Sequence, residues 1–471
     1  MSPASWAPEP TARLPCVLDP SRPVKALSVA FWLWKAILFV AIIGSPGLGY
    51  DTSSSLLPLL GNGSVEAAPG KKHVSFQLPI PLKFVRWDSI YFVHIGQIGY
   101  VFEQEWAFSS TYGYLVNSLS SFLFPSHDSS GAAEFAVTAV VLSHVAHYLS
   151  VLVLYRLSLI VFGHETERKR VLCFLSAALH IISPAGAFLS APYGESLFSF
   201  LNMTGFYIYS SSLVDFAKRK QSMSDVKLII SGCLFAVATA VRSNGILNGI
   251  LLAYDAFNQA HNIIARRSSR AAVRLCFVIL SGCTVALGFI IPQSLAYIAY
   301  CMNEGVSRPW CQSLVPSIYG WVQAHYWGVG FFRYWAMSNL PLFLLASPML
   351  LVLFLSCLWA LRVGVSHSLC MSTKAGHLLS ARPSAQLIIQ LAIAQLVLVA
   401  MALTTYHVQI INRISSGYPL WYWYLANRAL ETTDRFSSAS RYSGQFMVFL
   451  QAMVIYALVQ GVLFGSFLPP A

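Results

Sequence analysis

The chain has 471 residues, of which 56% are hydrophobic and only 10% charged, with a mean hydropathy of +0.61. Soluble globular chains carry about 25% charged residues, so this composition excludes a soluble enzyme and points to a membrane-embedded protein. The net charge of +12 does not mark a nucleic-acid binder, because the Lys and Arg sit in short loops between apolar runs, the positive-inside pattern.

In chain order, the first 26 residues are Pro-rich and polar and read as a cytosolic tail. No cleavable signal peptide is visible, so the first apolar run reads as an uncleaved anchor. Each crossing needs roughly 20 predominantly apolar residues. Runs at 27–43, 135–162, 171–189, 196–214, 228–242, 245–258, 273–300, 339–362, 386–407 and 445–465 predict about ten transmembrane helices. The short pair 228–242 and 245–258 is decided by charge. Lys218, Arg219, Lys220 and Lys227 precede it, and Arg266, Arg267, Arg270 and Arg274 follow it, so both flanks face the cytosol. Arg242-Ser243-Asn244-Gly245 then becomes the far tip of a membrane hairpin. Arg168-Lys169-Arg170 and the 363–385 loop are cytosolic by the same rule. The 44–134 loop is net acidic and predicts a large first luminal loop, with 301–338 and 408–444 on the same side. No internal repeat or separate soluble domain stands out, so residues 1–471 read as a single integral membrane catalytic domain.

Cysteines at 173, 233, 276, 283 and 357 lie in apolar runs and read as small core residues. Cys301 and Cys311 flank one polar loop, where a disulfide fits if that loop is luminal. The sequon Asn62-Gly63-Ser64 lies in the first luminal loop and fits glycosylation. Asn202-Met203-Thr204 lies inside a span, out of reach.

On this topology the unusual polar residues collect on the luminal face: Asp88, Glu103 and Glu105; Glu195 at the start of a span; Arg242 and Asn244 at the hairpin tip; Arg308, Trp310, His325 and Arg333; and His407, Gln409, Asn412 and Arg413. Polar groups at a membrane boundary are costly unless paired or functional. Plain structural roles compete at each position. Arg86-Trp87 suits an interfacial anchor, Asp88 an N-cap, Glu195 a helix N-terminus, and Glu105 a solvated loop carboxylate. His144 and His147 read as packed and hydrogen-bonded, and YPLWYWYLA (418–426) as an interfacial belt. No His or Cys pattern has metal-ligand spacing. Carboxylate, cations and apolar surroundings on one face fit sugar transfer from a polyprenyl phosphate. The carboxylate serves as general base, and the basic groups stabilise the departing phosphate. A polytopic lipid or solute transporter is the competing class, but it calls for paired charges near the midplane and repeated halves.

The residues themselves carry a resemblance. FVRWDSIYFVHIGQIGYVFEQEWAF (84–108), SPAGAFLSAPYGESLF (183–198), ATAVRSNG (238–245), RPWC (308–311), VQAHYWGVGFFRYW (322–335) and HVQIINRISSGYPLWYWY (407–424) stand in this order. Together they resemble GPI mannosyltransferase 2, the PIG-V family. The chain departs from the family pattern after Phe108, where it reads SSTYGYLVNS (109–118). The resemblance implies an all-α polytopic membrane protein with the GT-C glycosyltransferase fold, in the endoplasmic reticulum. It implies transfer of the second, α-1,6-linked mannose from dolichyl-phosphate mannose to a mannosyl-glucosaminyl-phosphatidylinositol acceptor. No cofactor or metal is called for, and a small accessory membrane subunit accompanies some members. A GT-C mannosyltransferase with a different acceptor is the nearest alternative within that class. Asp88 matches the catalytic carboxylate position of the first luminal loop. Arg86, Glu103, Glu195, Arg242, Asn244, His325 and Arg333 are the substrate-binding candidates, with Arg242 and Arg333 placed on the dolichyl phosphate.

Overall fold

A computed structural model of the protein describes residues 22–46, 80–125, 131–302, 308–370, 381–434 and 440–468. The sequon at 62–64, most of the N-terminal tail and much of the 363–385 loop lie outside these residues. The described residues contain no strand; they form fifteen α-helices joined by short 3-10 turns. In chain order these are α1 (Pro23–Ile43), α2 (Ser89–Ile98), α3 (Ser110–Leu123), α4 (Ala132–Phe162) and α5 (Glu167–Ile181). Then come α6 (Gly194–Ala217), α7 (Gln221–Val241), α8 (Gly249–Arg266), α9 (Ser269–Cys301) and α10 (Ile318–Tyr326). The last five are α11 (Leu340–Cys370), α12 (Ala381–Thr404), α13 (Ile411–Ile414), α14 (Leu420–Asp434) and α15 (Ser440–Gly465).

Among the described residues, seven helices are long and apolar enough to cross a membrane: α1, α4, α7, α9, α11, α12 and α15. The protein is therefore a multi-pass membrane protein. The three further spans expected at 171–189, 196–214 and 245–258 fall on α5, α6 and α8, which do not reach that length or hydropathy. The reason lies in packing. α6 is enclosed chiefly by α4 and α7, and its buried positions include Glu195, Ser196, Ser199, Asn202, Ser210 and Ser212. A helix shielded from lipid by its neighbours can carry polar side chains if they find partners. Small residues let those neighbours approach closely. At Gly205 an added Cβ would stand 2.3 Å from the Phe235 ring, so Phe235 of α7 rests directly on the α6 backbone.

The outer helices show the opposite character. α9 exposes Ile279, Leu280, Leu287, Ile290, Ile291 and Leu295, which is the surface a lipid-facing helix presents. Cys233, Cys276 and Cys283 are exposed too, so of the five cysteines read as core residues only Cys173 and Cys357 are buried. Apolar sequence context cannot separate the lipid side of a helix from its packed side. The aromatic run at 418–426 is a second correction. Trp421, Tyr422 and Trp423 are each fully buried, with α14 seated against α5 and α11. They form packed core and no interfacial belt.

Candidate active site

Asp88 is placed by an unusual turn. Trp87 adopts a left-handed backbone (φ +56°), which costs a non-glycine residue roughly 1–2 kcal/mol. The Ser89 hydroxyl accepts from the Arg86 amide at 2.5 Å and lies 2.6 Å from the Arg86 carbonyl. The Tyr193 hydroxyl donates to that carbonyl at 2.9 Å. These contacts lock the chain just before α2. Asp88 occupies the N-cap position, yet its side chain makes no capping hydrogen bond. Its carboxylate points across to Arg413, whose Nη2 donates to Oδ2 at 2.7 Å.

Arg413 belongs to α13, in the polar segment between α12 and α14. Its Nε lies 3.3 Å from Oε1 of Glu195. The same oxygen accepts from Arg242 Nη1 at 2.5 Å. Asp88, Arg413, Glu195 and Arg242 thus form one alternating chain of charges with no net charge. Glu195 is 1% exposed and lies behind the two arginines. The Arg413 guanidinium lies over the rings of Phe188, at 5.0 Å, and Tyr193, at 5.5 Å. Burial disfavours its positive charge, but Asp88 and Glu195 more than offset this and hold its pKa above the ordinary guanidinium value.

Asp88, Arg242, Asn244 and Arg413 open onto a cavity of about 550 Å³. Its walls carry aromatic rings from Trp87, Tyr100, Trp106, Phe108 and Trp327, and amides from Gln293, Gln323 and Gln409. Gly288 and Pro292 of α9 also line it. Pro292 has no N–H to give the Gly288 carbonyl four residues earlier. The Oδ1 oxygen of Asp88 makes no hydrogen bond among the described residues, and its side chain is 35% exposed. The cavity therefore combines an accessible carboxylate, two arginines and flat rings suited to sugar faces. Among the described residues, no three His, Cys, Asp or Glu side chains gather in a way that would hold a metal ion.

Five of the sequence candidates do not line this cavity: Glu195, buried behind the two arginines, touches them and not the cavity, and four others lie elsewhere. The Arg86 side chain is 2% exposed and its guanidinium lies 5.0 Å from the Phe467 ring, so it packs beneath the turn. Glu103 accepts from Trp310 Nε1 at 2.9 Å and from the Tyr326 hydroxyl at 3.3 Å. It fastens the first loop to the segment leading into α10. His325 stacks on Trp321 at 4.8 Å, and Arg333 is exposed on the turn before α11. Motif, charge and side of the membrane were the grounds for grouping them, and none of these fixes where a loop folds.

Glu105 is no solvated carboxylate. It is 1% exposed and accepts from the Val101 and Phe102 amides at 2.7 and 2.9 Å, with His94 Nδ1 at 2.5 Å. Burial raises its pKa, but these hydrogen bonds outweigh burial and leave it below the ordinary carboxylate value. His147 is buried and lies 3.3 Å from the His180 carbonyl, a packing role as read. Cys301 and Cys311 form a disulfide. Arg413 is the residue sequence reasoning left without a role. It is the one cation in HVQIINRISSGYPLWYWY (407–424), and that was the available signal.

The family model described as Mannosyltransferase (PIG-V) matches residues 36–471. The chain belongs to the PIG-V mannosyltransferase family. It is a membrane glycosyltransferase. It is 52% identical to GPI mannosyltransferase 2 of Aspergillus oryzae, covering 97% of this chain and 98% of the relative. It is 48% identical to that of Aspergillus fumigatus, covering 97% and 95%. It is 39% identical to that of Chaetomium globosum, covering 96% and 97%. Among solved structures, the mannosyltransferase is similar to the Archaeoglobus fulgidus oligosaccharyltransferase in complex with Zn and sulfate. There the identity is 14% and the TM-score 0.42, over 92% of this chain and 53% of that one, a likeness too low to carry an argument about the site.

Proposed function

We propose that this enzyme transfers the second mannose, in α-1,6 linkage, from dolichyl-phosphate mannose to the mannosyl-glucosaminyl-phosphatidylinositol precursor of the GPI anchor. The transfer takes place at the luminal face of the endoplasmic reticulum, on a GT-C body, with a small accessory membrane subunit as a candidate partner. The observation that carries the reading is the ion-pair chain from Asp88 through Arg413 and Glu195 to Arg242 on the cavity wall.

Donor mannose is β-linked and the product α-linked, so one displacement with inversion suffices. Asp88 takes the proton from the 6-hydroxyl of the acceptor's first mannose through Oδ1, as general base. The acceptor oxygen bonds to C1 of the donor mannose, and the C1–O bond to the dolichyl phosphate breaks. Charge then moves consistently. The donor phosphodiester carries one negative charge and the departing phosphate two, while Asp88 loses its own on protonation. The Asp88–Arg413–Glu195–Arg242 set passes from neutral to one net positive charge as the phosphate gains one negative charge. Arg242, on the cavity wall, and Arg413, relieved of Asp88, are then free to neutralise the leaving group. The arginines already carry that charge, so the step as drawn asks for no cofactor.

A transporter reading finds less support, since the charged set lies in one cavity with an accessible carboxylate. The test is complementation of cells lacking GPI mannosyltransferase 2. Wild type restores the two-mannose intermediate and Asp88→Asn does not. If wild type fails, the function is wrong; if Asp88→Asn restores it fully, the base is wrong.

A further inference from the structure

Each of the two arginines lies just before a separate turn, and one buried side chain joins those turns. Arg242 ends α7 and begins the 3-10 turn Ser243–Asn248. Arg413 lies in α13, followed by the 3-10 turn Ser415–Gly417. Asn202, on α6, is fully buried between them and does not line the cavity. Its Nδ2 donates to the Gly417 carbonyl at 2.9 Å, and its Oδ1 accepts from Asn248 Nδ2 at 2.6 Å. Donor and acceptor are both engaged, so the amide has a single orientation; flipping it would set donor against donor and oxygen against oxygen. The remaining carbonyls of the second turn are also occupied. Trp421 Nε1 donates to Ser415 at 3.0 Å, while Ser199 and Tyr422 hydroxyls donate to Ser416 at 3.3 and 3.2 Å. A second tie runs between the same turns, where Asn244 Nδ2 donates to the Tyr418 hydroxyl at 3.1 Å.

We infer that Asn202 is a positioning residue that fixes the separation of Arg242 and Arg413 by clamping their two turns to α6. A buried amide within a helical bundle is costly unless paired, and both partners of this one lie on turns that directly follow the segments bearing the site arginines. Glu195 stands seven residues before Asn202 on the same helix, so one rigid element sets the carboxylate between the arginines and the turns that follow them. The inference rests on the reading of the arginines as the charge store for the leaving phosphate. That charge develops in the transition state, so misplacing the arginines lowers kcat more than it raises KM.

The test uses the full-length enzyme purified into lipid nanodiscs, with dolichyl-phosphate mannose and the mannosyl-glucosaminyl-phosphatidylinositol acceptor. Asn202→Ala and Asn248→Ala each lower kcat by about a hundredfold, the scale of a misplacement of about 1 Å. KM for the donor shifts by no more than about threefold, because ground-state binding is largely kept. The double variant is no worse than either single one, since the two amides act as one unit. Gln395→Ala, which removes a buried amide that donates to Leu353 and Ser356 at 2.9 and 2.7 Å, serves as the packing control. It lowers thermal stability and keeps kcat. If Asn202→Ala does not accumulate, Asn202→Leu nearly keeps the volume and removes both hydrogen bonds without adding a charge, with the same expected fall in kcat. Unchanged kcat in the Asn202 variants, or losses that multiply in the double variant, overturns the proposal while wild-type turnover stands. A wild type without turnover on this donor overturns the reaction and the proposal together.

Discussion

Asp88 and Arg413 are 325 positions apart in the chain and 2.7 Å apart in the fold. Asp88 opens the short helix α2, Arg413 sits on α13, and Glu195 of α6 holds the arginine from the other side. The pair fixes which oxygen of Asp88 is occupied and which faces the cavity.

Asp88→Asn removes the proton acceptor and keeps the size of the side chain. Mannose transfer should fall by about 10²–10⁴, the usual contribution of a general base, with thermal stability near wild type. Initial rates and a melting curve on the same preparation check both. Substantial residual activity would move the base elsewhere.

Glu195→Gln leaves two arginines facing each other without their shared carboxylate. Breaking a buried ion pair from one side costs roughly 3–5 kcal/mol, so this variant should lose stability as well as rate. Arg413→Lys should behave as a strong loss of rate, because a lysine has no planar fork to meet Asp88 and Glu195 from two separate nitrogens or to lie flat over Phe188 and Tyr193. Denaturation midpoints compared with kcat separate the two effects; a near-wild-type rate in Arg413→Lys would remove Arg413 from the site.

Cys301→Ser opens the disulfide that ties the end of α9 to the Pro309–Gln312 turn. Trp310 of that turn holds Glu103, so the first loop should loosen with it. The expected cost is about 2–4 kcal/mol, read as faster limited proteolysis near residues 301–326. Unchanged protease resistance would show that Glu103 holds the loop without the disulfide.

Glu105 gives a pH dependence whose sign follows from its depressed pKa. Its stabilisation of the loop is fully present above the ordinary carboxylate pKa of about 4.3. It is lost as pH falls through its lower folded value. Tryptophan fluorescence of wild type and Glu105→Gln should therefore differ at neutral pH and converge in acid. A difference that persists unchanged in strong acid would show that the carboxylate's charge is not what orders the loop.

Much of the architecture was legible because hydropathy is additive along a chain. The seven membrane-length helices coincide with runs at 27–43, 135–162, 228–242, 273–300, 339–362, 386–407 and 445–465. α5, α6 and α8 were also found as elements, but their environment was not. Serines and Asn202 on α6 look like interruptions of a lipid span, and only the surrounding helices show that they face protein. Asp88, Arg242 and Asn244 were placed in the site by motif and by side of the membrane, and they line one cavity. Arg86, Glu103, His325 and Arg333 shared those features and went elsewhere, because a loop's path depends on contacts such as Glu103 with Trp310.

By itself the sequence determined that this is a multi-pass helical protein, that its family motifs stand in order, and that Asp88 is the carboxylate to examine. These follow from local composition and spacing, which need no partner. The tertiary structure alone decided that Arg413 completes the site, that Glu195 sits between two arginines, and that Asn202 joins their turns. Ion pairs and hydrogen bonds act over about 3 Å, so which distant residues they join depends on how the helices pack around α6.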